Sequence, residues 1–188
     1  GNPVLDSTAT VTVSETSVGS AAADISGTVS RTPVNGVVTF TGLGLNGQVG
    51  QYTLTFSTTG LTDITQSITL THGVAVKLAI ASSADTARSG IDFVAQPVVH
   101  VLDFDDNLVT TGDGSSATVT AALFGANPSE ITLFGESGLK QVQASGGVAA
   151  FSTLRLTGDV ATYTLDYTSG AFTKASQQIE LLAGAPAS

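Results

Sequence analysis

The chain has 188 residues, of which only 11% are charged, and six Lys or Arg stand against fifteen Asp or Glu for a formal net charge of −9. That charge opposes phosphate backbones and anionic lipid, so nucleic-acid and membrane-surface binding lack their usual electrostatic basis, and no apolar run reaches the roughly 18 residues of a membrane helix. The absence of Cys excludes disulfides and thiolate chemistry, while 28 Thr and 20 Ser indicate a surface of hydroxyls.

The beginning of the chain is related to the part that follows it. A shift of 111 positions aligns residues 36–75 with 147–186 without a gap, and 15 of the 40 pairs are identical. The identities alternate with variable positions, as in strands that bury one face. We therefore expect a chain cut from a longer tandem array: an incomplete module at 1–73 that lacks the counterpart of residues 76–105, a complete module at 74–184, and the start of a third at 185–188.

Within the complete module, stretches of period two are separated by turn residues, which predicts short strands and no helix. The strands are expected near 76–81, 93–102, 117–123, 131–134, 140–143, 148–154, 162–168 and 173–182. Seven or eight strands in about 110 residues are typical of a Greek-key β-sandwich. Asn35-Gly36 and Gly146-Gly147, at equivalent places, predict tight hairpin turns with positive φ.

Two tyrosines have the spacing of a tyrosine corner, in which a Tyr near the start of the penultimate strand turns its hydroxyl back to upstream backbone. Tyr163 follows Asp159 by four residues, and Tyr52 follows Gln48 in the same way. We interpret both as structural residues.

Together these segments resemble a known family. Lys77-Leu78-Ala79-Ile80, Gln96 to Asp103, Asp106-Asn107, Gly147 to Phe151 and Tyr163-Thr164-Leu165, in this order and spacing, are similar to the bacterial immunoglobulin-like repeats of intimin- and invasin-type adhesins and of long repetitive secreted proteins. The resemblance implies all-β, immunoglobulin-like sandwich modules in an extended array outside the cell, with binding usually confined to a terminal domain.

An acidic cluster is the best candidate for a metal site. Calcium prefers six to eight oxygen ligands, and closely spaced carboxylates on a turn can supply several of them. The candidate ligands are Asp103, Asp105, Asp106, Asn107 and Asp113. The Gly and terminal Glu of a helix-loop-helix calcium loop are missing, so a solvated turn is the alternative interpretation. No other cofactor is expected.

Enzyme chemistry finds little support in the sequence. The string from Gly42 to Gly47 has the form GxGxxG, but a dinucleotide site needs a helix after it, and the second copy keeps only the final Gly. His72 and His100 have no nearby acid and hydroxyl at the spacing of a local triad. We therefore expect a non-catalytic protein.

The expected role is structural. The chain would be a stalk, spacer or filament element of an extracellular or cell-surface protein, with neighbouring modules as its partners. The incomplete first module could also accept a strand donated by a neighbouring chain. The alternative is a ligand-binding adhesion module, possibly one that needs calcium, that recognises a glycan or a protein. Exposed aromatic residues would favour it, and Phe104, Phe124 and Phe134 are the candidates.

Overall fold

Strands make up nearly all of the regular structure. The computed structural model describes residues 8–19, 21–84, 86–126, 130–135 and 140–184, and within them the only helical segment is a 3₁₀ turn, Asp113–Ser116. No helix in these ranges is long and apolar enough to span a membrane. The all-β prediction is therefore confirmed. The chain divides into two units, Gly1–His72 and Gly73–Ser188, one residue before the expected module boundary. The expected start of a third module at 185–188 lies outside the described residues.

The described residues of the first unit contain six strands, which form two antiparallel sheets. They are β1 (Val11–Ser17), β2 (Ala23–Ser26), β3 (Ser30–Arg31), β4 (Gly44–Gly47), β5 (Gly50–Ser57) and β6 (Ile64–Leu70). One sheet has the order β3-β1-β5-β6, and the other pairs β2 with β4.

In the part of the second unit that the structure describes, ten strands form three sheets. They are β7 (Lys77–Ser82), β8 (Thr86–Arg88), β9 (Val98–Leu102), β10 (Thr118–Phe124), β11 (Ile131–Phe134), β12 (Gln141–Gln143), β13 (Val148–Ala150), β14 (Arg155–Gly158), β15 (Ala161–Thr168) and β16 (Ala175–Leu182). The sheet orders are β12-β10-β15-β16-β8, β13-β9-β7 and β11-β14. Strand β8 runs parallel to β16, and the other strand pairs are antiparallel.

Equivalent strands of the two units are paired in the same register. The order β3-β1-β5-β6 corresponds to β12-β10-β15-β16, with Thr12 opposite Ser57 in the first unit and Thr120 opposite Thr168 in the second. A tilted aromatic pair recurs as well. The rings of Phe40 and Phe56 lie 5.5 Å apart, as do those of Phe151 and Tyr167 at the equivalent positions.

One glycine of the repeat is required by close backbone approach. A Cβ on Gly47 would lie 2.4 Å from the carbonyl oxygen of Ala22, and one on Gly158 would lie 2.1 Å from that of Glu130. Any side chain there would separate β4 from β2, or β14 from β11. This packing accounts for the last Gly of the GxGxxG string without a bound nucleotide, and the segment after it is strand β5, where a dinucleotide site needs a helix.

The hairpin turns expected at equivalent places are present. Asn35 and Gly36 have φ of 51° and 73°, and Gly146 and Gly147 have 56° and 79°. In both turns the flanking residues exchange two backbone hydrogen bonds, Val34 with Val37 and Ser145 with Val148.

The hydrophobic core belongs almost entirely to the second unit. Its buried residues form one continuous cluster that includes Phe151, Leu165 and Ile179. Among the described residues of the first unit, the buried apolar side chains are those of Val13, Tyr52 and Leu54.

Two strand predictions need correction, and one strand is additional to those predicted. The strand expected at 93–102 begins at Val98, because Pro97 has no N–H for a ladder. The strand expected at 148–154 ends at Ala150, and the chain resumes as β14 in a different sheet. Strand β8 was not expected, since its three residues are too few to show a period.

Candidate functional sites

The side chain of Asp103 organises the acidic turn after β9. Its Oδ1 accepts hydrogen bonds from the backbone N–H groups of Asp105 (3.0 Å) and Asn107 (2.8 Å). Its Oδ2 accepts from the N–H of Gly73 (2.7 Å) and from Nδ2 of Asn107 (3.0 Å). Asp103 is 3% exposed, so these four donors replace water around a buried carboxylate.

These contacts set the charge state of the turn. Burial alone would raise the pKa of Asp103, but the donors from Gly73, Asn107 and Asp105 outweigh it and hold the pKa below its usual value. Asp106, at φ 66°, forms an ion pair with Lys77 at 2.9 Å. The turn thus has a stable anionic form without an added cation.

The predicted calcium ligands are only partly brought together. Asp103, Asp105, Asp106 and Asn107 share one turn, whereas Asp113 lies on the separate 3₁₀ turn. The described residues contain no group of three or more His, Cys, Asp or Glu placed to hold a metal ion. Calcium binding stays a prediction. Backbone N–H groups, which the sequence does not display, compete with a cation for the carboxylate oxygens of Asp103.

Both candidate corner tyrosines contact upstream backbone. The hydroxyl of Tyr52 donates to the carbonyl oxygen of Gln48 at 2.6 Å, and that of Tyr163 donates to Asp159 at 2.8 Å. This is the contact that defines a tyrosine corner. Burial, aided by the nearby Glu15 carboxylate, raises the pKa of Tyr52, so it stays a hydrogen-bond donor at neutral pH.

A polar cluster between β15 and β16 was missed from the sequence. The buried Asp166 accepts hydrogen bonds from Nζ of Lys174 (2.5 Å) and Oγ of Ser176 (2.6 Å). Burial would raise its pKa, but these two donors lower it. The sequence does contain an acid and a base that could pair across neighbouring strands. The first unit has Thr55 and Asp63 at the equivalent positions, however, so comparison of the two repeats gives no indication of this cluster.

The three aromatic candidates differ in their surroundings. Phe104 is 82% exposed and Phe124 67% exposed, while Phe134 is 36% exposed. The ammonium of Lys174 lies 4.8 Å from the ring centroid of Phe124, and the guanidinium of Arg155 lies 5.1 Å from that of Phe134. Phe104 is thus the ring most available to a ligand.

Among the described residues of the first unit, one sheet face is more exposed than its counterpart in the second unit. Every second residue of β16 is buried, whereas six of the seven residues of β6 are exposed. Ile68 is 39% exposed, and its counterpart Ile179 is 0% exposed. Leu43, Leu45 and Leu70 are half-buried, although their counterparts are fully buried. We call Leu43, Leu45, Ile68 and Leu70 the open face.

Comparisons with known proteins identify no family for this chain. No protein-family model matches it, and no curated protein sequence matches it. Solved structures align with it at low identity. A β-glycosidase from Bacteroides vulgatus is 14% identical with a TM-score of 0.46, over 91% of this chain and 21% of the glycosidase. A β-glucuronidase from Parabacteroides merdae is 12% identical with a TM-score of 0.42, over 91% of this chain and 20% of the enzyme.

An adhesin aligns as well. FdeC of Escherichia coli is 14% identical with a TM-score of 0.44, over 98% of this chain and 55% of FdeC. The chain thus spans about a fifth of the length of the two glycosidases and about half that of the adhesin. At these identities and TM-scores, none of the three assigns a function to this chain.

Proposed function

We propose that this chain is a non-catalytic structural part of an extracellular protein, serving as a stalk, spacer or filament element at a cell surface. Each unit would be one immunoglobulin-like module of a tandem array, with neighbouring modules as its partners. The repeated strand register supports this proposal, as does the core that the second unit buries on its own. A surface of few charges and many hydroxyls suits a long element whose properties depend little on salt.

One observation carries the proposal. In the second unit, the segment at which the chain enters and the segment at which it leaves run parallel and are joined by backbone hydrogen bonds. The N–H of Leu78 donates to the carbonyl of Thr173 at 2.9 Å, and the N–H of Thr173 donates to Val76 at 2.9 Å. Further along, the N–H of Ser89 donates to Leu182 at 3.0 Å.

The parallel contacts between the entering segment, residues 76–89, and the leaving segment, residues 173–182, determine how tension acts. Val76 and Leu182 lie at opposite ends of these contacts, so pulling on the chain draws the two segments past each other. The hydrogen bonds between them are then loaded together instead of breaking one after another. Such a unit resists extension through a high barrier to forced unfolding.

Force spectroscopy tests this function. Because the chain has no Cys, attachment cysteines can be placed at the exposed Val74 and Ala183. Thr173→Pro removes the N–H that bonds Val76, and the matched control Leu133→Ala opens a cavity in β11, away from the ends of the unit. The proline removes one backbone hydrogen bond, which costs about 0.5–1.5 kcal/mol, and the cavity costs roughly 2–5 kcal/mol.

If the terminal segments carry the tension, Thr173→Pro lowers the unfolding force more than Leu133→Ala does, relative to the loss of equilibrium stability that each variant causes. Equal reductions, or a larger reduction for Leu133→Ala, would contradict it.

A ligand-binding adhesion module is the second candidate, and the exposure of Phe104 favours it. A glycan array probed with the whole chain tests it, with Phe104→Ala as the variant. Saturable binding that this variant abolishes would support adhesion, whereas no binding, or binding that the variant retains, would count against a site at Phe104.

A further inference from the structure

Asparagine is followed directly by glycine twice in this chain, at Asn35-Gly36 and at Asn46-Gly47. In such a pair the backbone nitrogen of the glycine can attack the side-chain amide of the asparagine, because glycine has no side chain to hinder the approach. The second repeat has Gly146-Gly147 and Thr157-Gly158 at the equivalent positions, so neither reactive pair recurs there. The structure gives the two pairs of the first unit very different surroundings.

Asn35 lies in an exposed hairpin turn that is weakly held. It has a φ of 51°, and the turn is closed by the two backbone hydrogen bonds that Val34 and Val37 exchange, at 2.8 and 3.1 Å. These two residues form an isolated bridge outside the named strands, and they are 72% and 59% exposed. A turn with so few backbone hydrogen bonds and such exposed neighbours opens locally at a low cost in free energy.

Asn46 lies in strand β4, where the backbone is held against β2. It stands opposite Asp24 in the four-residue pairing of the two strands. Gly47 packs so closely on β2 that a Cβ would lie 2.4 Å from the carbonyl oxygen of Ala22, and the N–H of Gln48 donates to that oxygen at 2.8 Å. The carboxylate of Asp24 also opposes the negative charge that forms when the glycine nitrogen loses its proton. Attack at Asn46 therefore requires β2 and β4 to separate.

We propose that Asn35 is a site of spontaneous deamidation and that β4 protects Asn46 from the same reaction. The nitrogen of Gly36 attacks Cγ of Asn35, and its proton ends on the side-chain nitrogen, which leaves as ammonia. Water then opens the resulting five-membered imide at one of its two carbonyls, which gives aspartate or isoaspartate. One water is consumed and one ammonia is released, and no oxidant or reductant is needed.

Either product changes the turn. Isoaspartate routes the main chain through the side-chain carbon and lengthens a two-residue turn by one methylene, so the bonds between Val34 and Val37 cannot be kept unchanged. Aspartate keeps the main chain and adds one negative charge to the net charge of −9. The equivalent turn at Gly146-Gly147 has no side-chain amide and cannot react in this way. This inference goes beyond the proposed function, because it does not depend on what the chain does.

The test measures the rate of each reaction in the whole 188-residue chain at mildly alkaline pH, which favours the reaction because the attacking nitrogen must lose a proton. Proteolysis and fragment masses assign each amide-to-acid conversion to Asn35 or Asn46, and an isoaspartyl methyltransferase labels the isoaspartate. The repeat supplies matched variants, since Asn35→Gly and Asn46→Thr each introduce the residue of the second unit. The same measurement in urea gives both rates without the protection of the fold.

In the folded chain, Asn35 should react roughly tenfold or more faster than Asn46, and in urea the two rates should become similar. Asn35→Gly should remove most of the label, whereas Asn46→Thr should leave it in place. Equal rates in the folded chain, a faster reaction at Asn46, or a folded chain that does not react at Asn35 would overturn the proposal. None of these results bears on the pulling experiment, so this inference and the proposed function can fail separately.

Discussion

Removing the carboxylate of Asp103 should destabilise the second unit severely. The side chain is 3% exposed and accepts four N–H donors, including that of Gly73 at the first residue of the unit. A hydrogen bond to a charged group contributes about 1.5–3 kcal/mol, but the four are not additive, because water can enter the space that alanine leaves. Each buried N–H that loses its acceptor costs about 1–3 kcal/mol, so with water replacing part of the four bonds a loss of about 3–5 kcal/mol is expected for Asp103→Ala.

That loss is measured by urea unfolding of the chain, monitored through a signal that reports on the second unit. Asp103→Asn is the matched variant. It keeps the size and one acceptor oxygen but sets an NH₂ group against donors, so about half of the loss is expected. A change within about 0.5 kcal/mol for Asp103→Ala would refute the account of the turn.

The same measurement separates the turn from a calcium site. If N–H donors alone hold Asp103, calcium and chelator should leave the unfolding midpoint of the unsubstituted chain unchanged. A midpoint that rises with calcium, and that Asp103→Ala makes insensitive to calcium, would instead support the cation hypothesis.

Further predictions concern pH, the tyrosines and the open face. The folded state lowers the pKa of Asp103, so the stability that this carboxylate contributes is present above its unfolded pKa of about 3.9 and is lost as the pH falls through its folded pKa. Urea midpoints measured between pH 7 and 2.5 should therefore fall less steeply in Asp103→Asn than in the unsubstituted chain. Tyr163→Phe should lower the stability of its unit by about 1 kcal/mol, and Tyr52→Phe, at a fully buried ring, should lower it more. Hydrogen exchange of each unit measures both losses, and a Tyr52→Phe variant of unchanged stability would refute the role of Tyr52 as a tyrosine corner. Ile179→Ala should cost about 2–5 kcal/mol and Ile68→Ala less than half as much, and equal losses in thermal melts would show that the open face is covered.

Much of the strand layout could be predicted because burial on one face leaves a period of two in the sequence. The identities from Tyr52 to Leu54 and from Tyr163 to Leu165 lie on β5 and β15, which pair in the same register in both units. The hairpin turns were also predictable, since only residues that tolerate positive φ fit them. These features are local, and local sequence is sufficient to specify them.

The parts that could not be predicted depend on contacts between distant segments. Strand β8 exists because it lies beside β16, nearly a hundred residues later in the chain, and its three residues have no period of their own. The turn at Asp103 looked like a cation site because the sequence displays carboxylates and not the N–H groups that converge on them. The pairing of Asp166 with Lys174 is close in sequence, but it depends on how the hairpin of β15 and β16 places the two side chains, and the sequence does not display that geometry.

The most direct test of the structural proposal is the behaviour of residues 72–184 expressed alone, a stretch that keeps the N–H of Gly73 bonded to Asp103. If this stretch is an autonomous module, it should be monomeric and unfold in one cooperative transition, at the same urea concentration as the second unit in the 188-residue chain. A stretch that is unfolded alone, that needs a partner to fold, or that melts without cooperativity would contradict the account.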